Sequence, residues 1–177
     1  TGGRRVKNSV GGQYIETGLE LGGKDPAYIR EDANLDSAVP GVMNGVFYNA
    51  GQSCCAVERI YVHESLLNKF VDGAMSFMNK LVIGDPMDKS TDIGPLAQNS
   101  GIDTVIAQLE DAEKKGAEIT FHSGVMPKGK KFIQPAILTN VNHDMAVMMD
   151  ETFGPIVGIV AVNSDDQAIK LMNDSSF

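Results

Sequence analysis

Basic side chains are scarce in this 177-residue sequence, cysteine is almost missing, and no long apolar run occurs. Fifteen Lys and Arg stand against 23 Asp and Glu, for a net charge of −8 at pH 7. Phosphate binding needs clustered cations, so this deficit excludes a broad nucleic-acid or anionic-membrane surface. The best apolar run, Gly158-Ile159-Val160-Ala161-Val162, falls far short of the roughly 18 residues of a spanning helix. The only cysteines, Cys54 and Cys55, are adjacent. Their Cα atoms lie about 3.8 Å apart, closer than disulfide geometry usually allows. No structural bridge within the chain is expected, and the implied compartment is reducing and cytoplasmic. Without Cys-x-x-Cys or paired His, no zinc site is expected either; His63, His122 and His143 are scattered. The chain begins Thr1-Gly2-Gly3-Arg4-Arg5-Val6, with no Met and no apolar stretch behind the basic pair. The expectation is that no intact signal peptide is present and that residue 1 is not the natural start. No Gly-x-Gly-x-x-Gly, repeat or low-complexity tract is found.

What is present is ordinary for a packed domain: 42% hydrophobic and 21% charged residues. A chain of this size buries roughly 70% of its unfolded surface, enough for one sizeable core. Short apolar strands alternate with amphipathic helices. Gly18–Leu21 and Ala27–Arg30 read as strands around Gly22-Gly23. Leu35, Ala38, Val39, Val42 and Val46 keep helical spacing after a cap at Asp32 or Asn34, with Pro40 expected to kink that helix or delay its start. Arg59–His63 alternates as a strand, and Leu66 to Met78 carries an apolar helical stripe. Residues 84 to 96 read as loop, 100 to 115 as a helix ended by Gly116, and 119 to 121 and 156 to 160 as strands. Ser164 caps a last helix. This alternation predicts an α/β fold, a three-layer domain with a mainly parallel sheet covered by helices, and one domain by default.

Three segments carry chemistry. Gly51-Gln52-Ser53-Cys54-Cys55-Ala56 places a thiol in a glycine-opened turn, where backbone N–H groups lower a thiol pKa. The plainer alternative is that both cysteines are small core residues. Glu20-Leu21-Gly22-Gly23-Lys24 offers a carboxylate at a strand end, either a desolvated base or a solvated Glu paired with Lys24. Asp150-Glu151-Thr152-Phe153-Gly154-Pro155 is a rigid turn, either a hydroxyl acceptor with a ring beside it or an acidic turn with a core Phe.

Together, and in this order, Glu-Leu-Gly-Gly-Lys, Gly-Gln-Ser-Cys and Glu-Thr-Phe-Gly-Pro resemble the aldehyde dehydrogenase superfamily. Glu20 precedes Cys54 by 34 residues and Glu151 follows it by 97, close to the family's spacing. Phe47-Tyr48-Asn49-Ala50, Gly84-Asp85-Pro86, Ile93-Gly94-Pro95-Leu96 and Phe132-Ile133-Gln134-Pro135 resemble it too. The resemblance covers the chain from about Thr17 onward. It implies oxidation of an aldehyde to a carboxylic acid with NAD or NADP, through a thiohemiacetal and a thioester on Cys54. It makes Glu20 the general base, Glu151 the acceptor of the nicotinamide ribose hydroxyls, Phe153 the ring beside it, and the Cys54 N–H half of an oxyanion hole. Cys55 has no implied role. It further implies a small-molecule aldehyde as partner and a homo-oligomeric parent, with neither nucleic acid nor membrane involved.

The departures define the expected domain organisation. The family's upstream nucleotide-binding region and oxyanion-hole Asn have no counterpart here, and the family continues past Phe177. Residues 1–16 are therefore expected to be the tail of a nucleotide-binding domain or a linker, and residues 17–177 a partial catalytic domain, truncated at both ends and inactive alone. Two competitors remain at this stage. One is a non-catalytic relic serving as a binding or assembly module. The other is a Cys–His hydrolase joining Cys54 to His63, His122 or His143.

Overall fold

The computed structural model describes residues 2–129 and 131–177; Thr1, part of the expected 1–16 segment, lies outside the described residues. A nine-residue helix, α1 (Gly2–Val10), is followed by a turn at residues 11–14 and irregular backbone to Lys24. The sheet grows around β2 (Val57–His63), whose five central residues are all buried. Its branched and aromatic side chains suit a pleated strand covered on both faces. Beside it lies β1 (Asp25–Ile29), and across the sheet follow β5 (Ile156–Val162), β4 (Ala136–Thr139) and β3 (Glu118–Phe121), in the order β1-β2-β5-β4-β3. The first four of these are parallel and β3 is antiparallel to β4. Pro26 can occupy β1 because an edge strand needs no donor on its outer side.

Helices α2 (Leu35–Phe47) and α3 (Leu67–Met78) pack on each other and on β2, β4 and β5. Opposite them, α5 (Ala146–Met149) and α6 (Asp165–Met172) pack on β5, while α4 (Asn99–Lys114) leans on α5 and β3. Neighbours along β5 display the two sides. Gly158 faces Met148 of α5, and Ile159 faces the cleft beside α3, as strand alternation requires. The arrangement is the three-layer, mainly parallel α/β domain that the pattern predicts. Its centre is filled by Met43, Ile60, Phe70, Met78, Leu138 and Met148, each less than 1% exposed.

The predicted caps form. The Asn34 carboxamide oxygen accepts from Asp36 N at 3.0 Å, and Ser164 Oγ accepts from Gln167 N at 3.3 Å. Gly116, at φ +92°, turns the chain out of α4. Contrary to expectation, α2 neither kinks into two helices nor starts late at Pro40. Both Pro40 and Asp36 are exposed, so the Asp36 carbonyl that loses its donor is within reach of water.

A second expectation fails outright. Gly18–Leu21 is not a strand: residues 15 to 24 have no regular structure, and all four are exposed. The ladder between β1 and β2 starts only at Asp25↔Val57. Upstream of Val57 the partner chain is the cysteine turn, which has no extended edge to pair with. Elements α1, β4 and α5 are not legible in the periodicity: α1 has only Val6 and Val10 as apolar residues, and β4 and α5 are four residues each.

Candidate active site

The cysteine turn begins with unusual backbone. Where α2 ends, Tyr48–Gly51 forms a tight turn in which Asn49 (φ 51°, ψ 35°), Ala50 (φ 57°, ψ 32°) and Gly51 (φ 71°) are all left-handed. For Ala50 that conformation costs roughly 1–2 kcal/mol. Gly51 has no alternative, because a Cβ there would run into the Gly154 carbonyl. Gln52 and Asn49 lock the turn: Gln52 N and Nε2 donate to Asn49 O, and Asn49 Nδ2 donates to Gln52 O at 3.0 Å. Gln52 Oε1 accepts from Ala97 N at 2.8 Å, tying the turn to the segment before α4. Strain held by surrounding structure in this way is characteristic of functional sites.

Cys54 and Cys55 sit in the bend that follows, and both are exposed. The alternative of two core cysteines is therefore wrong. The side chains point out of a turn that enters the sheet before β2 begins. Cys55 Sγ lies 3.2 Å from Ser53 Oγ, whereas Cys54 makes no such bond. Among the described residues the Cys54 N–H has no acceptor, so it can donate to an anion formed beside the sulfur.

The three motif segments meet here. A Cβ on Gly23 would lie 3.1 Å from Cys54 O, and one on Gly22 would collide with the Glu151 carboxylate. Gly23 N donates to Glu151 Oε1 at 3.3 Å. Gln52, Leu96, Gly101, Thr104, Glu151 and Phe153 line one cleft of about 320 Å³. Phe153 is 41% exposed and left-handed at φ 51°, so the alternative of a core Phe also fails. Glu20 is exposed and lies on no strand; the desolvated strand-end carboxylate is not seen.

Lys24 does not pair with Glu20. Its ammonium is fully buried and donates to Glu58 Oε2 at 2.7 Å and Thr152 Oγ1 at 2.8 Å. Burial lowers its pKa, and the Glu58 carboxylate opposes that shift. Thr152 Oγ1 donates in turn to Gln108 Oε1 at 2.7 Å. Sequence reasoning missed Glu58 and Gln108. The available signal was a charged pair, Glu58-Arg59, at the head of the apolar strand Ile60-Tyr61-Val62, where an unpaired buried charge would be prohibitive.

The histidines are engaged elsewhere. His63 Nδ1 bonds Ser65 Oγ at 2.8 Å, His122 Nε2 bonds Leu81 O at 3.0 Å, and His143 bridges Tyr61 and Asp174. None is hydrogen-bonded to Cys54, which removes the geometric basis of a Cys–His hydrolase. Among the described residues no cluster of His, Cys, Asp or Glu could hold a metal ion, and no helix is long and apolar enough to cross a membrane.

Fold and site thus define an α/β domain that presents an exposed thiol beside a carboxylate-lined cleft. Comparison with known proteins makes the class specific. The sequence profile of the aldehyde dehydrogenase family matches residues 1–177, and the chain belongs to that family. It is 37% identical to succinate-semialdehyde dehydrogenase [NADP(+)] 1 of Mycobacterium tuberculosis, over 99% of this chain and 38% of the relative. The structure of a succinate-semialdehyde dehydrogenase from Burkholderia pseudomallei superposes with a TM-score of 0.94 at 32% identity, covering 99% of this chain and 36% of that one. A betaine aldehyde dehydrogenase from Staphylococcus aureus, solved in complex with NAD+, superposes with a TM-score of 0.89 at 30% identity, covering 98% and 35%. The chain therefore spans little more than a third of the length of the proteins it matches.

Proposed function

We propose that this chain carries the thiol centre of an NAD(P)+-dependent oxidation of an aldehyde to a carboxylic acid, with residues 17–177 forming part of the catalytic domain. The observation that carries the reading is the meeting of the three motif segments: Gly23 lies against Cys54 O, Gly22 and Gly23 against the Glu151 carboxylate, and Gly51 against the Gly154 carbonyl. The Cys54 thiolate adds to the aldehyde carbonyl carbon, and the resulting oxyanion takes a hydrogen bond from the Cys54 N–H. One such donor is worth roughly 3 to 4 kcal/mol in a transition state. Glu20 takes the proton from the water that attacks the thioester, freeing the acid and regenerating the thiol.

A nicotinamide cofactor fits the residues present. Phe153 offers an exposed ring face, and Glu151 has one oxygen on Gly23 N and a second open to ribose hydroxyls. When bound, the cofactor supplies the hydride acceptor for the oxidation. Glu151 and Phe153 would hold and orient it. The substrate is a small aldehyde, the parent a homo-oligomer, and the setting a reducing, cytoplasmic one.

Site-resolved alkylation of both cysteines, followed by mass spectrometry over about pH 5 to 9, tests the centre without needing a whole cofactor site. Cys54 is expected to be alkylated faster than Cys55, whose Sγ is hydrogen-bonded to Ser53 Oγ. Equal and slow reaction of both thiols overturns the assignment of Cys54 as nucleophile.

A further inference from the structure

Glu58 occupies a break in the sheet. The register between β1 and β2 runs Asp25↔Val57 and then Pro26↔Arg59, so Glu58 is the extra residue of a bulge four positions beyond Cys54. Bulges re-aim a side chain, and they recur beside active sites. Here the re-aimed carboxylate leaves the ladder and reaches the turn before β5. Its Oε2 accepts from Thr152 N at 2.8 Å and from Lys24 Nζ at 2.7 Å, and its Oε1 accepts from Phe153 N at 2.8 Å. Two successive backbone N–H groups thus converge on one internal anion, as they do in an anion-binding nest. The second of them belongs to the left-handed Phe153. From the other side Gln108 Nε2 donates to the Asp150 and Glu151 carbonyls, both at 3.3 Å. At Thr152 every described side-chain polar contact runs through Glu58, Gln108 or Lys24.

The chemistry of position 58 is narrow. Three donors converge there, so the group must accept only. Gln would aim its own N–H groups at one of them, and Asp is a methylene too short to reach across the bulge. The charge needs a buried cation, which Lys24 supplies from the Glu-Leu-Gly-Gly-Lys segment. Lys24 is itself anchored by Arg59 Nε, which donates to Lys24 O at 2.9 Å, while Arg59 Nη2 holds Met172 O at the end of α6. The strand that follows the cysteine turn therefore also fixes the backbone of Thr152 and Phe153.

We propose that Glu58, balanced by Lys24, is a positioning residue that holds the Thr152–Phe153 backbone in the left-handed turn that places Glu151 and Phe153 in the cleft they share with Gln52 and Thr104. The link to cofactor orientation rests on the dehydrogenase reading, whereas the brace itself does not. The charged groups around Glu58 are Lys24, Arg59, and the Asp150 and Glu151 carboxylates of the same turn.

The test is amide hydrogen exchange by NMR on the 177-residue chain and its Glu58→Gln variant. Protection factors at Thr152 and Phe153 are expected to fall roughly tenfold to a hundredfold, the scale of one hydrogen bond to a charged acceptor. Those at Ile60 and Ile159 in the sheet should hold. A second variant, Lys24→Met, removes the cation and is expected to release the same two amides while Ile60 and Ile159 hold, since a buried carboxylate without its cation is strongly disfavoured in place. If either variant keeps wild-type protection at both amides, the brace is wrong. If Ile60 and Ile159 lose protection in step with the turn, Glu58 is a general stability residue and the proposal is likewise overturned. A wild-type Cys54 that alkylates no differently from Cys55, together with selective release of the two amides in Glu58→Gln, sinks the dehydrogenase reading and leaves the brace standing.

Discussion

Residues 2–21 and the β2–β5 centre fold under different rules. Around β2, each turn is tied to a neighbour: Gly51 to Gly154, Gln52 to Ala97, Lys24 to Glu58, Gln108 to the Asp150–Glu151 backbone. In the opening segment Tyr14 and Ile15 stand in solvent, Leu21 is 58% exposed, and α1 buries only Gly3, against that same Leu21. One proposed catalytic group falls on each side of the divide. Cys54 is carried by a locked turn and Glu20 by an exposed, unladdered one. What separates the regions is a supply of partners and of apolar side chains: residues 2–21 carry only Val6, Val10, Tyr14, Ile15, Leu19 and Leu21, whereas β5 is apolar at every position but Gly158.

The comparison can be broken at several points. The largest effect belongs to the thiol: in any length of this protein that oxidises aldehydes, Cys54→Ser should lower aldehyde-dependent NAD(P)H formation by roughly a thousandfold or more. Cys55→Ser, one residue away, should leave it within about threefold. Steady-state rates decide between them.

Next comes Gly51→Ala, which forces a Cβ into the Gly154 carbonyl at a left-handed position. It is expected to cost about 3 kcal/mol or more, whereas Gly18→Ala meets nothing within 4 Å and should stay within about 0.5 kcal/mol. Thermal unfolding of the two variants measures the difference. If Gly18→Ala is the more damaging, the opening segment is better held than its exposure indicates. A parallel pair uses side chains alone: Ile60→Ala, at a fully buried site, should cost about 2–5 kcal/mol, and Ile15→Ala about 0.5 kcal/mol or less. Urea midpoints at constant m-value compare them.

The smallest effect is electrostatic. The Asp111 carboxylate is held below the usual carboxylate range by the Lys115 ammonium and then by the Ala146 N–H, stapling α4 to α5. A depressed carboxylate contributes stability that is complete above its unfolded pKa of about 3.9 and is lost as pH falls through its lower folded value. The thermal midpoint should therefore drop slightly more steeply below about pH 4 in the wild type than in Asp111→Asn, a difference absent at neutral pH once the constant offset is removed.

Much of the fold was readable because period and punctuation agree. Asn34, Ser164 and Gly116 act locally, so their roles survive any tertiary context. Ile156–Val160 reads as a strand because a doubly buried strand is continuously apolar, and Arg59–His63 because its residues alternate. The Gly18–Leu21 strand was misread for the converse reason: alternation marks a residue fit for a sheet, but pairing needs an extended neighbour, and the cysteine turn is not one. Pro40 was overweighted, since an exposed carbonyl in the first turns of a helix tolerates the loss of its donor.

The site divides along the same line. By itself the sequence determined the reactive residue types, their order and spacing, and hence the family, because bond-making groups cannot be exchanged without changing the chemistry. It also determined the glycines, whose hydrogen atoms mark where backbones approach. Only the tertiary structure decided which groups serve one another: that Lys24 answers Glu58 and not Glu20, that Phe153 is exposed and left-handed, and that the histidines are engaged away from the thiol. Charge pairing and backbone aim depend on segments separated by as many as 128 residues, and no local pattern encodes a distance that only folding closes.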